Sequence, residues 1–397
     1  MNTNLEPGTR NREPKHREPA HREPKLVLIV GVSTRAAADS AARAGFDVIA
    51  LDAYADLDQH PSVRALSLPR DFGTTFSPEA VVNVAGELPS DAVVYLSSLE
   101  NHSRAVDALT TERALWGNRS DVLRRVRDPR ALAAAFTKRG IRAPRVITSG
   151  ETMPRPNEVE RWMFKPRVSG GGHGVRLWQP GEAVTRDHYL QEFVEGTPGS
   201  IIFVAAGSRG VTLGVTRQLV GDDAFGTSGF RYCGNILTEP EDLVPDAVAL
   251  VDAVAAEFSL VGVGSIDVIA SEHGLLPVEV NPRWSASMEL VERTRGISMF
   301  AVHADACAKG ELPVLGDSSL LEKGKTHGKA IVFARQNLVI GDTRRWLEDP
   351  DVRDVPHAGD RIEAGQPICT VFAAGSDEAG CYARLVEHAA RIYGEVA

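Results

Sequence analysis

The sequence predicts an α/β chain of the α+β kind: an N-terminal open sheet, a strand-rich centre and a small β-rich C-terminal cap. Three observations predict it. A continuous apolar run, Leu26 to Val30, leads through a glycine turn into the Ala-rich stretch Arg35 to Arg43 and a second apolar run, which is a βαβ start. Strand patterns carrying glycine-rich turns fill most of the centre. The closing DVPHAGDRIEAGQPICTVFA alternates turns with short apolar strands. At 397 residues the chain is too long for one ordinary core, so two or three domains are expected.

In chain order, residues 1–25 come first, with three units NREPK, HREPA and HREPK and no large apolar residue except Leu5. Such a segment cannot bury enough surface to offset its ordering entropy, so a disordered, partly polyproline-like tail is expected, a docking arm being the alternative. Residues 26–118 are expected to form the open α/β unit, with Gly45 ending its first helix and a third strand at Ala92 to Leu96. Only Gly31 stands where a dinucleotide fingerprint needs three glycines, which argues against NAD. Asp52, ending the second strand, reads as a surface-loop carboxylate or a ribose contact.

Residues 119–320 form the expected central domain. It opens with a helical region from Ser120 to Arg139, capped by Ser120 or Asp128 and broken by GIRAP, and continues with strands and with helices near 241–258 and 296–309. A Lys/Gly-rich hinge, Glu322 to Lys329, begins the last part, 321–397, which starts on the strand AIVFA and ends in a helix near 378–394.

Composition narrows the function. With 43% hydrophobic and 24% charged residues the chain has the composition of a globular protein. A net charge of −9 and no basic block in the body argue against nucleic acid as a partner. No run reaches the ~18 apolar residues of a membrane span. No secretory start is present, so no membrane partner and a cytoplasmic location are expected. Four scattered cysteines give neither a disulfide framework nor a CxxC metal site.

Two segments carry chemistry. In MFKPRVSGGGHGVRLW, a strand bearing Lys165 runs into Ser169, Gly170, Gly171, Gly172, His173 and Gly174 and then into another strand. Glycines leave backbone N–H groups free to wrap phosphate oxygens that Cβ atoms would keep away, and Lys165 adds a point charge. No GK[ST] closes the loop, so it is not a Walker A sequence, and a flexible hairpin tip is the other reading. His173 reads as a loop bystander or a catalyst.

In GSIDVIASEHGLLPVEVNPRWSASMELVE, the turn Glu272-His273-Gly274 joins two strands. Pairing Ser271 with Leu275 places Asp267 opposite Glu279, and Asn281 shares that face. Opposed carboxylates repel unless something positive lies between them. These oxygens make a hard-ligand set suited to Mg²⁺ that takes its remaining ligands from water and substrate phosphates. The alternative is that both acids face solvent and each finds a lysine. Arg283, just beyond the strand, can hold a phosphoryl or carboxylate group in its fork. A phosphate cradle with a Mg²⁺ cluster is equipment for phosphoryl transfer.

These residues resemble the ATP-grasp superfamily, over about residues 26–397. The resemblance implies a Rossmann-like open sheet, a central two-lobed ATP-grasp domain, and ATP held between antiparallel sheets while a carboxylate becomes an acyl phosphate. Lys165 is then the phosphate lysine, and the Ser169–Gly174 loop the flexible glycine loop. Gln191, Glu192, Phe193 and Val194 resemble the hinge that meets adenine. Asp267, Glu279 and Asn281 become Mg²⁺ ligands, with Mn²⁺ as a substitute, and Arg283 steadies the transferred phosphate. Two departures stand out. Asp128-Pro129-Arg130 lacks the usual first lysine, for which Arg127 or Arg130 is a replacement or simply an exposed arginine. Thr197-Pro198-Gly199-Ser200 lacks the usual ribose acid, leaving Glu195 as a candidate.

The start GVSTRAAADSAARAGFDVIALDAY and the string VEVNPRWSASMELVE resemble carboligase-like proteins related to biotin carboxylase, a group that includes tyramine–glutamate ligase of methanofuran synthesis. This implies small-molecule carboxylate and amine substrates. Arg217, Arg231, Asn235, Ser285 and Ser287 are substrate-side candidates or solvent-facing polar residues, and Trp284 either stacks on an aromatic amine or packs. Biotin-carboxylase-like carboxylation and a non-catalytic ATP-binding scaffold are the rivals. A two-fold homodimer is expected on general frequency. Glu279→Gln is expected to abolish Mg²⁺-dependent ADP formation and to leave the metal-free protein slightly more stable.

Overall fold

The computed structural model describes residues 26–152, 161–238, 243–315 and 325–396. The expected N-terminal tail, residues 1–25, and residues 322–324 of the expected hinge lie outside them.

The first unit runs β1 (Leu26–Val30), α1 (Arg35–Arg43), β2 (Asp47–Asp52), β3 (Val63–Ser67), α2 (Leu68–Phe72), α3 (Pro78–Gly86), β4 (Ala92–Tyr95), α4 (Ser103–Leu109) and β5 (Ala114–Leu115). Its strands pair in parallel in the order β3-β2-β1-β4-β5. Alternate residues of β1 serve opposite faces. Val27 and Ile29 pack with α1 and with Phe300, whereas Leu28 and Val30 join Val81, Val106 and Leu109. That two-sided burial is why β1 reads as an unbroken apolar run. β3 escapes sequence reading because it is an edge strand, with Arg64 exposed and no apolar run. Asp52 is neither a surface acid nor free to reach a ribose. It is buried, accepting from Thr34 N–H (2.9 Å), Thr34 Oγ1 (2.7 Å), and the N–H groups of Tyr54 (2.8 Å) and Ala55 (2.7 Å). It closes the turn after β2 onto the turn after β1.

Two helices replace the single expected helical region, α5 (Ser120–Val126) and α6 (Pro129–Thr137). Asp128 is the cap: its carboxylate accepts from Arg130 N–H at 2.8 Å and Ala131 N–H at 3.3 Å, with Pro129 at the first helical position. Ser120 does not act as one. A four-stranded antiparallel sheet follows, from β6 (Val146–Thr148), β7 (Trp162–Pro166), β8 (Arg176–Leu177) and β9 (His188–Glu192), in the order β6-β9-β7-β8.

The large sheet draws on β10 (Thr197–Ala206), β11 (Arg209–Val220), β12 (Tyr232–Thr238), β13 (Val261–Ser271) and β14 (Gly274–Asn281), with α7 (Val244–Phe258) between β12 and β13. After α8 (Ser287–Arg295) and α9 (Met299–Lys309) come β15 (Thr326–Phe333), β16 (Leu338–Val339), β17 (Val352–Arg353), β18 (Arg361–Ile362), β19 (Pro367–Gly375) and α10 (Glu378–Val396). The eight-stranded order is β14-β13-β10-β11-β12-β15-β19-β17, and β16 pairs with β18 apart from it. Thr326 to Lys329, expected in a hinge, is therefore sheet. Helix α8 is not among the helices expected for this region, which were those near 241–258 and 296–309. α7 covers one stretch of the sheet through Val251, Val254 and Phe258 against Ile201, Phe203 and Ile266, and α10 covers another through Leu385 and Ile392. Each such fully buried aliphatic or aromatic side chain contributes about 1.5–3 kcal/mol.

α9 is pinned by His303, whose Nδ1 accepts from Val263 N–H at 3.1 Å while Nε2 faces the Trp116 carbonyl at 3.2 Å. That geometry demands a neutral ring with the proton on Nε2, and burial pushes the imidazole down to about 4. The unfolded chain takes up a proton near pH 6.5, which the folded chain refuses until about pH 4. Stability is thus full above pH 6.5 and is lost progressively as pH falls from 6.5 to 4. His303→Gln is expected to flatten this part of the pH–stability curve in denaturant titrations. An unchanged slope in the variant would exclude His303 as its source.

The β13–β14 hairpin departs from the expected register and then returns to it. Ser271 pairs with Gly274, not Leu275, and the offset persists through Val268 and Pro277. Val278 is then an extra residue, a bulge that restores the alignment, so Asp267 does face Glu279 and Ser265 faces Asn281. Gly274, at φ +90, lies where a Cβ would meet the Asp246 carboxylate at 2.4 Å.

Candidate active site

A cleft of about 430 Å³ lies between the four-stranded sheet and the large sheet, closed at one side by the loop after β4. Lys165 and Gln191 project from the small sheet; Asp267, Glu279 and Asn281 project from the large one. The loop after β4 reaches the cleft because the strand order reverses between β1 and β4, where both flanking loops leave the carboxyl ends of parallel strands.

On the small-sheet side the buried Lys165 Nζ donates to Gln191 Oε1 at 3.0 Å and lies 5.8 Å from the centre of the Tyr189 ring. Burial by itself would lower the ammonium, but Tyr189, Glu279 and Asp267 outweigh it, so Lys165 stays charged. Gln191 Nε2 donates to the Val278 carbonyl at 3.1 Å, which ties the two sheets together at the bulge. Glu192, Phe193 and Val194 also line the cleft. Glu192 is held by Arg145 Nε at 3.3 Å, and Phe193 lies under the Arg161 guanidinium at 4.0 Å. Glu195 pairs with Arg161 at 2.6 Å on the surface.

The glycine loop is not a loose hairpin tip. Gly171 accepts from Tyr232 N–H at 3.2 Å. Gly172, at φ +77, lies so close to the Phe230 carbonyl that a Cβ would stand 1.9 Å from its oxygen. Ser169, Gly170, Gly171 and Gly172 line the cleft, while His173 and Gly174 are exposed and do not. Partial burial and the nearby Arg231 charge lower the His173 imidazole; its place outside the cleft lining is what favours the bystander reading.

Across the cleft, Asp267 accepts from Ser200 Oγ (3.2 Å), Gln218 Nε2 (3.0 Å) and Asn281 Nδ2 (3.0 Å). Burial and the facing Glu279 push its carboxyl up to about 6. Burial would raise Glu279 too, but Arg127 and Lys165 hold it below the usual carboxylate range. Neither acid meets a solvent lysine: the positive charge between them is supplied by Arg127, ion-paired to Glu279, and by Lys165. Among the described residues no three His, Cys, Asp or Glu side chains converge on one point. Two facing carboxylates and one amide oxygen fit Mg²⁺, which keeps several waters and fills its shell from phosphates.

Arg283, 9% exposed, lines the cleft and donates through Nε to Glu100 Oε1 at 2.9 Å, through Nη2 to Asn281 Oδ1 at 3.1 Å and through Nη1 to the Trp284 carbonyl at 3.2 Å. Ser285 and Ser287, 2.9 Å apart through their hydroxyls, and Asn235, held by Thr216 Oγ1 at 2.8 Å and by Tyr232, line the same end. Arg217 and Arg231 do not line the cleft: Arg217 pairs with Glu378 on α10, and Arg231 lies over Phe333 at 4.9 Å. Trp284 is buried in the core beside Met288 and Phe300, so it packs and does not stack on a ligand. Sequence reading missed Glu100, Asn101, Tyr189, Ser200 and Gln218. Only Glu100 and Asn101 carried a signal, their place just beyond the carboxyl end of a buried parallel strand.

Comparison with known proteins bears on the fold. Residues 126–287 match the profile of the ATP-grasp domain. An uncharacterized protein of Methanocaldococcus jannaschii is 27% identical over 142 residues, 36% of this chain and 33% of its own length. The match thus spans only about a third of that relative. The L-amino acid ligase of Bacillus licheniformis superposes with a TM-score of 0.64 at 16% identity, over 92% of this chain and 97% of the ligase. The biotin carboxylase domain of 2-oxoglutarate carboxylase from Hydrogenobacter thermophilus, a dimer solved with MgADP, ADP and bicarbonate, superposes with a TM-score of 0.64 at 15% identity, over 95% and 91%. At these identities the likeness is one of fold, and the fold is ATP-grasp.

Proposed function

We propose, from the premise that residues 126–287 carry an ATP-grasp domain, that this protein is an ATP-dependent ligase joining a small-molecule carboxylate to an amine. The observation that carries the reading is the meeting in one cleft of a charged lysine and a glycine loop from one sheet with a facing carboxylate pair and an arginine from the other. ATP supplies the γ-phosphoryl group, and Mg²⁺ neutralises charge on its phosphates. The residues do the rest. Gln191 to Val194 offer the adenine a backbone edge, and Lys165 with Ser169–Gly172 holds phosphate oxygens. Asp267, Glu279 and Asn281 hold the metal.

Arg283 holds the acceptor carboxylate beside the phosphoryl group. A carboxylate oxygen attacks the γ-phosphorus, the bond to the β-phosphate oxygen breaks and ADP leaves. An amine nitrogen then attacks the acyl carbon, phosphate leaves and the amine gives up a proton, which forms the amide. Positioning and charge stabilisation account for the rate, so no Ser or Cys nucleophile is needed.

The finer reading, glutamate joined to an aromatic amine such as tyramine or tyrosine as in methanofuran-type cofactor synthesis, draws its support from VEVNPRWSASMELVE. ADP release with Mg²⁺-ATP across a panel of glutamate, tyramine, tyrosine, other amines and bicarbonate, with mass detection of the product, tests both levels. A glutamyl amide formed only with an aromatic amine is the expected result. Bicarbonate-dependent release without amine would move the protein to carboxylation. Nucleotide binding with no turnover on any acceptor would make it a scaffold.

A further inference from the structure

Asp128-Pro129-Arg130 opens α6 without a lysine, yet a cation does stand at that end of the cleft. Arg127, the residue after α5, lines it, while Arg130 points away to pair with Glu151 on the surface. The Arg127 guanidinium joins three parts of the molecule. It is ion-paired with Glu279 on β14, donates to Asn101 Oδ1 at 2.8 Å in the loop after β4, and donates to the Ser169 carbonyl at 3.3 Å at the start of the glycine loop. Asn101 Nδ2 donates to the same Ser169 carbonyl at 3.3 Å, so the loop is tied twice at one oxygen.

We infer that Arg127 is the phosphate-side cation of this cleft, and that in the ligand-free protein Glu279 holds it in reserve until a divalent cation takes that carboxylate. The inference rests on the ATP-grasp reading of the cleft. A divalent cation at Glu279 competes with the guanidinium for the same carboxylate and repels it. The released fork is already beside the glycine loop, where phosphate oxygens offer it the planar, bidentate acceptors that guanidinium prefers. Its departure also frees one of the two ties on Ser169. Metal loading, loop release and phosphate capture are thereby coupled through one side chain.

The coupling predicts opposite signs for two affinities. Arg127→Gln is expected to bind MgADP roughly tenfold or more weakly in calorimetry, the loss of a hydrogen bond between charged groups. In the absence of nucleotide it should bind Mn²⁺ several-fold more tightly, because a competing cation has gone. In the wild-type protein, Mn²⁺ alone should speed hydrogen exchange at Gly170 to Gly172, a readout that needs no variant. Unchanged MgADP affinity in Arg127→Gln, weaker Mn²⁺ binding, or exchange indifferent to Mn²⁺ would each overturn the inference while wild-type MgADP binding stands. Failure of the wild-type protein itself to bind MgADP would overturn the ATP-grasp reading beneath it.

Discussion

Glu279→Gln is expected to abolish Mg²⁺-dependent ADP release, a fall of order 10³-fold or more, with the fold intact by circular dichroism. The substitution keeps the shape and one acceptor oxygen but removes half of the charge that the facing pair offers a divalent cation. Chelation of Mg²⁺ in the wild-type protein should silence it to the same level. The accompanying change in stability differs from the simple expectation of two repelling acids. Arg127 and Lys165 already hold Glu279 in its ionised form, so neutralising it discards a favourable interaction and leaves the metal-free protein slightly less stable. Asp267 bears the repulsion, with its carboxyl raised to about 6, so Asp267→Asn is the variant that should be more stable without metal at pH 7. Denaturant midpoints of the two variants decide this, and full turnover by Glu279→Gln would remove the metal assignment altogether.

Arg283→Gln should be the more damaging change to the folded state. Glu100 is 3% exposed, its Oε1 held by Arg283 and its Oε2 without a hydrogen-bond partner. Removing the guanidinium strands a buried carboxylate, at a cost of about 3–5 kcal/mol. Glu100→Gln costs less, because Arg283 retains Asn281 Oδ1 and the Trp284 carbonyl and opens onto the cleft. Its signature is kinetic: Glu100 positions Arg283, so Glu100→Gln should lower kcat for ADP release with little change in nucleotide affinity. In the double variant no charge is stranded, and part of the stability lost in Arg283→Gln should return. Strict additivity of the two single effects on unfolding would refute a coupled pair.

Glu100 and Arg283 are 183 positions apart in the chain. No local pattern links them. Each strand of the N-terminal sheet whose residues are buried on both faces is legible from its apolar run, and β3, with Arg64 exposed at the sheet edge, is not. The facing of Asp267 and Glu279 was legible from hairpin pairing although the turn pairing was off by one, since the bulge at Val278 restored the offset. Bulges have no compact signature in side-chain type, and here two one-residue shifts cancel.

By itself the sequence determined what depends on neighbours along the chain: the βαβ start, the glycine loop after Lys165, and one hairpin bearing an acid on each strand. These follow from backbone freedom, periodicity and burial, which act over a few residues. Only the tertiary structure decided which charges meet. It placed Arg127 and not Arg130 on Glu279, sent Arg217 to Glu378 and Trp284 into the core, buried Asp52 under Thr34, and brought Glu100 across to Arg283. A charge or hydrogen-bond partner is chosen by three-dimensional proximity in a medium of low polarity, and that proximity exists only once the sheets have packed.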